Sequence, residues 1–466
     1  MSGIDAHVQA TDPLVIDGLQ YKLKPNGQYV TSRQSVSFHP SGSNVYTPVG
    51  GTRVMRIVLS DSAGAWLDPE SVKLQFDVVN KESDAAKRLR PLTPWGFFKK
   101  MRITCGGSLV EDFDYNRTHE MFHMMKPADI RDNDTTEGFE YREGTIDDPN
   151  PANMAGIAGN TRKTVCFSLL SGLLQCGKML PLSYMKGGLV IELELVNSFA
   201  EPLVDTSGAT FTSANTSVNW NLENCQIKAD ILHLDNGFQN SYDSHMLDGG
   251  LLAINFQGYI TSQQSIVGDK VTVNLSRQAS HLKGVFVSFD KSSKHTETYK
   301  EWNLYYHPMK NSTPVTYTRT NADGTTTDFT NNDPYEQGRE IEWQLQIGGK
   351  TYPQMPVNSI AESYSQLRKA VARYGKHPIS ITPQQYHSSK FVAGLDLEML
   401  PEVGYTGIST KNGEMLTFKL KAVDINALNA GALVADGNTQ MPDQLFMVLC
   451  TDNILELRDS GISVLD

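Results

Sequence analysis

Apolar and polar side chains alternate along several stretches of the chain, the period of a strand with one face buried. In the first such stretch, Val72, Leu74, Phe76 and Val78 alternate with Lys73, Gln75 and Asp77. In the second, Leu189, Ile191, Leu193 and Leu195 face away from Glu192 and Glu194. In the third, Leu416, Phe418, Leu420 and Ala422 alternate with Thr417, Lys419 and Lys421. Weaker alternation covers Cys225–Leu234, Val271–Leu275 and Val285–Phe289. Asp-Gly or Asn-Gly pairs stand at Asp17, Asn26, Asn236, Asp248, Asp323, Asn412 and Asp436. Such pairs tolerate the positive φ of tight turns. Many short strands with frequent turns predict an all-β sandwich or barrel, not a parallel α/β sheet.

Two segments read as helix. Ile360, Tyr364, Leu367 and Val371 recur at helical spacing within Ser359–Tyr374, with a capping-box pair, Ser359 and Glu362, at the start and Gly375 at the end. The other runs from about Tyr115 to Lys126 and stops at Pro127.

The elements occur twice in the same order. Strand, Gly106-Gly107 turn, strand and helix in the first half match strand, Gly348-Gly349 turn, strand and helix in the second. The two turns are separated by close to half of the 466-residue chain. An alternating strand follows later in each half, and each half has room for about eight short strands. The expected organisation is an N-terminal arm over 1–33, a first sandwich over 34–238 and a second over 239–466, with the boundary in the linker Asp235–Gly250. Asp132–Lys163 and Thr313–Gly338 lack periodicity and are expected to be exposed loops off one end of the sandwiches.

Composition narrows the classes. Aromatics are 9% and charged residues 20%, which is not a disordered composition. No run approaches the ~18 apolar residues of a membrane-crossing helix, and the N-terminus has no signal-peptide pattern, so synthesis and folding in a cytosol-like compartment are expected. A net charge of −11 argues against a histone-like, non-specific role on nucleic acid. Five cysteines, Cys105, Cys166, Cys176, Cys225 and Cys450, are widely spaced and form no C-x-x-C pair, so neither a zinc knuckle nor a disulfide scaffold is expected.

The sharpest chemical motif is His119-Glu120-Met121-Phe122-His123 on the first helix. H-E-x-x-H there places two imidazoles on one face for zinc, with the Glu as general base. Glu143 lies where a third ligand could stand, but in a Gly/Asp/Pro segment without helical period, and Lys126-Pro127 replaces the metzincin continuation. The reading preferred is a short helix packing Tyr115 and Phe122 inward with its histidines at a boundary. Gly348-Gly349-Lys350-Thr351 resembles the tail of a P-loop, but Gln344 stands where the first Gly is required, and a hairpin turn fits better. Lys87, Arg88, Arg90, Lys99, Lys100 and Arg102 form a basic cluster, read as a solvated face. No catalytic, cofactor-binding or metal-binding residue is expected, and no cofactor.

Several stretches, taken in order, resemble the double jelly-roll major capsid proteins of icosahedral double-stranded DNA viruses, most closely the polinton-like virus and virophage group. They are Thr52–Val79, Pro94–Phe113 and Met179–Val196 in the first half, and Trp343–Ala370, Phe391–Ala422 and Gln444–Asp459 in the second. The resemblance implies two consecutive eight-stranded jelly rolls per chain and a homotrimeric, pseudo-hexameric capsomer that builds the virion shell. It implies self-association, penton and minor capsid partners and no sequence-specific nucleic acid; an internal membrane is left open. It would place the loops on the outer surface, with the acidic run Asp132, Asp134, Glu137, Glu140, Glu143, Asp147 and Asp148 facing solvent or cations. The competing readings are a β-sandwich lectin or adhesin, and a zinc metalloprotease using His119 and His123.

Overall fold

The computed structural model describes residues 29–60, 64–127, 156–203, 216–267, 270–275, 277–290, 305, 315–320, 325–331, 339–375, 379–388, 390–400, 405–411, 414–424 and 442–465. The first half contains β1 (Val30–Phe38), β2 (Val45–Tyr46), β3 (Val54–Leu59), β4 (Ala65–Asn80), β5 (Phe98–Cys105), β6 (Ser108–Asp114), helix α1 (Tyr115–Met125), β7 (Arg162–Ser168), β8 (Leu180–Pro181), β9 (Leu189–Leu195) and β10 (Trp220–Leu234). Helix α2 (Asn236–Leu247) leads into the second half. There follow β11 (Leu252–Ser265), β12 (Lys270–Leu275), β13 (Leu282–Asp290), β14 (Val315–Thr320), β15 (Thr326–Asn331), β16 (Arg339–Ile347) and β17 (Lys350–Val357). Helices α3 (Ile360–Gly375) and α4 (Pro383–Ser388) precede β18 (Val392–Asp396), β19 (Leu416–Asp424), β20 (Gln444–Arg458) and β21 (Gly461–Leu465).

These strands build two sandwiches of identical topology. In the first, sheet β1-β10-β4-β7 faces sheet β3-β9-β5-β6; in the second, β11-β20-β13-β18 faces β12-β19-β16-β17. Numbering the eight main strands of each half in chain order gives the same arrangement, 1-8-3-6 against 2-7-4-5. That is the eight-stranded jelly roll, present twice. The alternating residues behave as their period requires. Leu74, Phe76 and Val78 turn into the first core, as do Ile191, Leu193 and Leu195. Phe418 and Leu420 fill the second, where Phe418 lies 6.0 Å from Trp343, ring to ring.

Neighbouring strands in each sheet are antiparallel, so the connections fall at two ends. The tight turns 106–107 and 348–349 lie at one end. The strand ends that border 81–97, 115–161, 196–219, 291–338, 358–391 and 425–443 lie at the other. Gly106 and Gly107 have φ of 56° and 87°, a pair of values that only glycine adopts at little cost. The sandwiches stand side by side with like ends together. At the turn end, Lys186 Nζ is 2.8 Å from Asp459 Oδ1 and Ser108 Oγ donates to the Ile462 carbonyl at 2.9 Å. At the loop end, Ser380 Oγ donates to the Met124 carbonyl at 3.2 Å.

Three expectations change. The linker Asp235–Gly250, which the sequence pattern does not mark as helical, contains helix α2. Asp235 caps it by accepting from the Gly237 N–H, so Asn236-Gly237 opens a helix instead of making a turn. Aromatic packing holds it: Tyr242 lies 4.9 Å from Trp66, and Phe238 stacks on Tyr29 at 4.7 Å. The second change is in Thr313–Gly338, where β14 and β15 pair as a hairpin. Threonines at alternate positions, β-branched though polar, suit a strand. The third concerns residues 30–33, assigned to an arm, which already belong to β1 and pair with β10. The acidic run from Asp132 to Asp148 lies outside the described residues.

The two halves meet closely where Gly172 faces β11. A Cβ on Gly172 would stand 1.5 Å from the Gln257 carbonyl oxygen. Gly172→Ala is expected to force the sandwiches apart, at a cost of about 1–3 kcal/mol or more by the usual penalty for overpacking. A lowered thermal midpoint in calorimetry, with far-UV circular dichroism of the folded state unchanged, is the expected observation.

Candidate functional site

The segment that tempted as a metal site is helix α1, and the structure buries it on nearly all sides. Every residue from Tyr115 to Met125 is buried except Phe122. The expected placement of its histidines at a boundary is therefore corrected: His119 and His123 are both buried. The cause is position. The chain leaves edge strand β6 directly into α1, and α1 is wedged between the first sandwich and the second.

On the first-sandwich side, the His119 ring stacks on Trp95 at 4.3 Å and 8° between planes, and its Nδ1 is 3.0 Å from the Tyr115 hydroxyl. Burial pushes the His119 pKa well below its ordinary 6.5, with His123 and Lys126 adding to the shift, so the ring is neutral. Glu120, which would have to serve as a general base, accepts a hydrogen bond from the Trp95 indole at 2.7 Å. A buried indole N–H needs such a partner, and the repeat supplies one again: Trp343 donates to Ser363 Oγ on α3 at 2.8 Å. The cavity beside the histidines is about 30 Å³, lined by Trp95, His119, Phe122, His123 and Phe167 among others. That is room for water rather than a substrate. Glu143 lies outside the described residues. No group of three or more His, Cys, Asp or Glu suited to a metal occurs among the described residues.

On the other side, α1 and β6 press on the outward face of sheet β11-β20-β13-β18. Phe122 sits 5.4 Å from Tyr259 and 5.3 Å from Phe286, and Phe113 sits 5.3 Å from Tyr259. Each such aromatic pair adds about 0.5–1.5 kcal/mol beyond its buried area. The Arg117 guanidinium lies 5.5 Å over the Phe446 ring and 3.8 Å from Asp290 Oδ2, and donates to Gln444 Oε1 at 3.3 Å. Burial pulls its pKa down, and nearby carboxylates, Glu201 first, hold it up. The Asp114 N–H donates to Thr261 Oγ1 at 3.0 Å, and the Tyr305 hydroxyl donates to the Arg117 carbonyl at 3.3 Å. This seam binds the two sandwiches to each other along one continuous buried strip.

The other sequence motifs resolve as structure. Gly348-Gly349-Lys350-Thr351 is the hairpin turn between β16 and β17. Of the basic cluster, Lys87 pairs with Glu82 at 3.6 Å and Lys100 with Asp112 at 3.0 Å. Arg102 reaches Asp112 and Glu192 at 3.5 and 4.0 Å. Lys100 and Arg102 thus belong to a cross-strand ladder with acidic partners on β6 and β9, while Lys87 pairs within its own connection.

With both sandwiches and their seam defined, solved structures give the comparison. The chain matches PBCV-1 VP54 with a TM-score of 0.56 at 12% identity, covering 95% of this chain and 98% of that one. The fold is that of the double jelly-roll major capsid proteins. A chain of the Sputnik virophage matches with a TM-score of 0.52 at 9% identity, over 99% of this chain and 93% of that one. The Faustovirus major capsid protein matches with 0.52 at 8% identity, over 93% and 91%. No protein-family model and no curated protein matches the sequence.

Among the seam residues that sequence reasoning did not single out is Glu111. Its carboxylate is buried in β6, accepting from Ser171 Oγ and, at 2.8 Å, from the Gly172 N–H. It thus fixes the loop that touches Gln257. Burial raises its pKa from an ordinary 4.5 to about 7, against the lowering effect of its hydrogen bonds. The unfolded chain loses this proton near pH 4.5 and the folded chain keeps it to about pH 7. The associated stability is complete below pH 4.5 and lost as pH rises through 7, by up to about 3 kcal/mol. The urea midpoint of the wild type is expected to fall between pH 5 and pH 8, and that of Glu111→Gln to fall measurably less.

Proposed function

We propose that this chain is the major capsid protein of an icosahedral double-stranded DNA virus, and that three copies form a pseudo-hexameric capsomer. One observation carries the reading: a single chain locks two jelly rolls of identical topology side by side, like ends together, through a buried seam. Three such chains present six similar towers, the outline that fills a hexagonal lattice position. Fold similarity alone does not fix function, but the buried character of the one enzyme-like motif favours a structural role.

In this reading residues 34–238 and 239–466 form the two jelly rolls, with β1 extending the first back to Val30 and residues before it forming an arm. The connections at the loop end form the outer surface, with the acidic run between Asp132 and Asp148 among them. The partners are further copies of the chain, then penton and minor capsid proteins. The chain is made in the host cytoplasm and resides in the virion shell.

Multi-angle light scattering on purified protein at micromolar concentration tests this. The expected species has three times the 51.6 kDa mass of one chain. A monomer would overturn the proposal.

A further inference from the structure

The connection that follows β7 is a loop, yet it is buried from Leu169 to Leu174. Loops ordinarily run over the surface, because their backbone groups need partners. This loop finds them on β6 and α1. From one side, the Glu111 carboxyl accepts from Ser171 Oγ, from the Gly172 N–H at 2.8 Å and from the Leu173 N–H. From the other side, the Tyr115 hydroxyl accepts from the Leu170 N–H at 3.2 Å and lies 3.0 Å from His119 Nδ1. The loop in turn bears on the second sandwich. Gly172 leaves no room for a Cβ against the Gln257 carbonyl, and just beyond the loop Lys178 Nζ donates to the Ala253 carbonyl at 3.1 Å. One short segment is thus gripped by two titratable systems of the first sandwich and pressed on the second.

Each grip depends on a proton. Glu111 faces Tyr259 of β11, with Cys450 of β20 beside it, whereas Asp112 and Lys100 pair on the opposite side of β6. Burial raises the pKa of both Tyr259 and Cys450, so both are neutral and offer an ionised Glu111 no compensating charge. At the other grip, the Leu170 N–H donates to the Tyr115 oxygen, so the Tyr115 hydrogen goes to His119 Nδ1. That nitrogen accepts only in the neutral ring. A second proton on the ring takes the acceptor away and strands a buried hydroxyl hydrogen. His123 and Lys126 oppose that proton as well. The remaining neighbours, Trp95 and Phe167, are uncharged, and Glu120 accepts from the Trp95 indole.

We infer that residues 169–175 are a pH-gated latch between the two sandwiches, closed while Glu111 holds its proton and His119 has a single one. Ionising Glu111 or protonating His119 opens the loop to water and withdraws Gly172 from β11. The latch acts within one chain and does not rest on the capsomer reading.

The two groups act in opposite directions. Glu111 titrates at about 7 in the closed latch and at its ordinary 4.5 once exposed, so closure weakens as pH rises from 4.5 to 7. His119 titrates well below 6.5 in the closed latch and at 6.5 once exposed, so closure weakens as pH falls below 6.5. Between pH 4.5 and 6.5, closing takes up one proton at Glu111 and releases one at His119. The two dependences cancel there, and the latch is tightest across that window.

Amide hydrogen exchange of the full chain tests this, read by mass spectrometry in peptides spanning 169–175. Rates are corrected for intrinsic exchange at each pH and taken as a ratio to peptides from β4. Wild-type protection is expected to stay level between pH 4.5 and 6.5 and to fall below 4.5. In Glu111→Gln it is expected to rise with pH across the same window, by up to about 100-fold at tenfold per unit. In His119→Phe, which keeps an aromatic ring on Trp95, it is expected to fall by a similar factor. The double variant is expected to be level again. If His119→Phe does not fold, Tyr115→Phe, which cuts the ring from the loop, is expected to tilt the same way. Parallel profiles in all chains, or a tilt in only one of the two single variants, overturn the latch.

Discussion

An apolar sheet face has to be covered, and the outward face of β11-β20-β13-β18 is apolar. Tyr259, Phe286 and Phe446 stand on it, and removing such surface from water is worth roughly 25 cal/mol per Å². The first sandwich supplies the cover with β6 and α1. From this one requirement follow the burial of every α1 residue but Phe122, the desolvation of Arg117 and Glu111, and the close approach of Gly172 to β11. The buried ion pair of Arg117 adds orientation more than net stability, though removing either partner would strand a charge.

Three polar groups at this seam are satisfied in a consistent way. Each faces a partner from the other sandwich or from a loop that the other sandwich positions: Asp114 with Thr261, Arg117 with Asp290, and Glu111 with the Ser171–Gly172 loop. Hydrogen bonds of this kind fix register, while the aromatic contacts supply most of the attraction. The ladder on the solvent side of β3-β9-β5-β6 works differently. Arg53 and Glu194 at 2.8 Å, and Arg56 and Glu192 at 3.5 Å, are partly exposed pairs of small individual worth.

Much of the architecture was legible from periodicity. The alternation in β4, β9 and β19 predicted which side chains face the core, and the two Gly-Gly hairpins exposed the duplication. Legibility failed where tertiary context overrides a local pattern. The run Leu445–Asn453 shows no alternation because both of its faces are buried. Helix α2 has a weak period and opens on Asn236-Gly237, a pair that elsewhere marks turns; its stability comes from Trp66 and Tyr29, distant in sequence. The threonines of β14 and β15 look like loop composition until they pair. For Glu111, nothing in the local sequence distinguishes a fully buried carboxylate from Asp112 beside it, which points the other way and pairs with Lys100. His119 and His123 were correctly placed on a helix, but only the second sandwich explains why that helix has no free side.

The pairing of β1 with β10 has a kinetic consequence. Val30 lies opposite Leu234, almost half the chain later, and β4 pairs with β10 as well. At roughly 5–20 residues per second, a ribosome needs about 10–40 s between making one partner and the other. Throughout that interval the nascent first sheet lacks its central strand. Contacts this distant along the chain also close slowly once available. Elongation speed, rather than any property of the folded molecule, therefore governs how long each new chain stays open to aggregation.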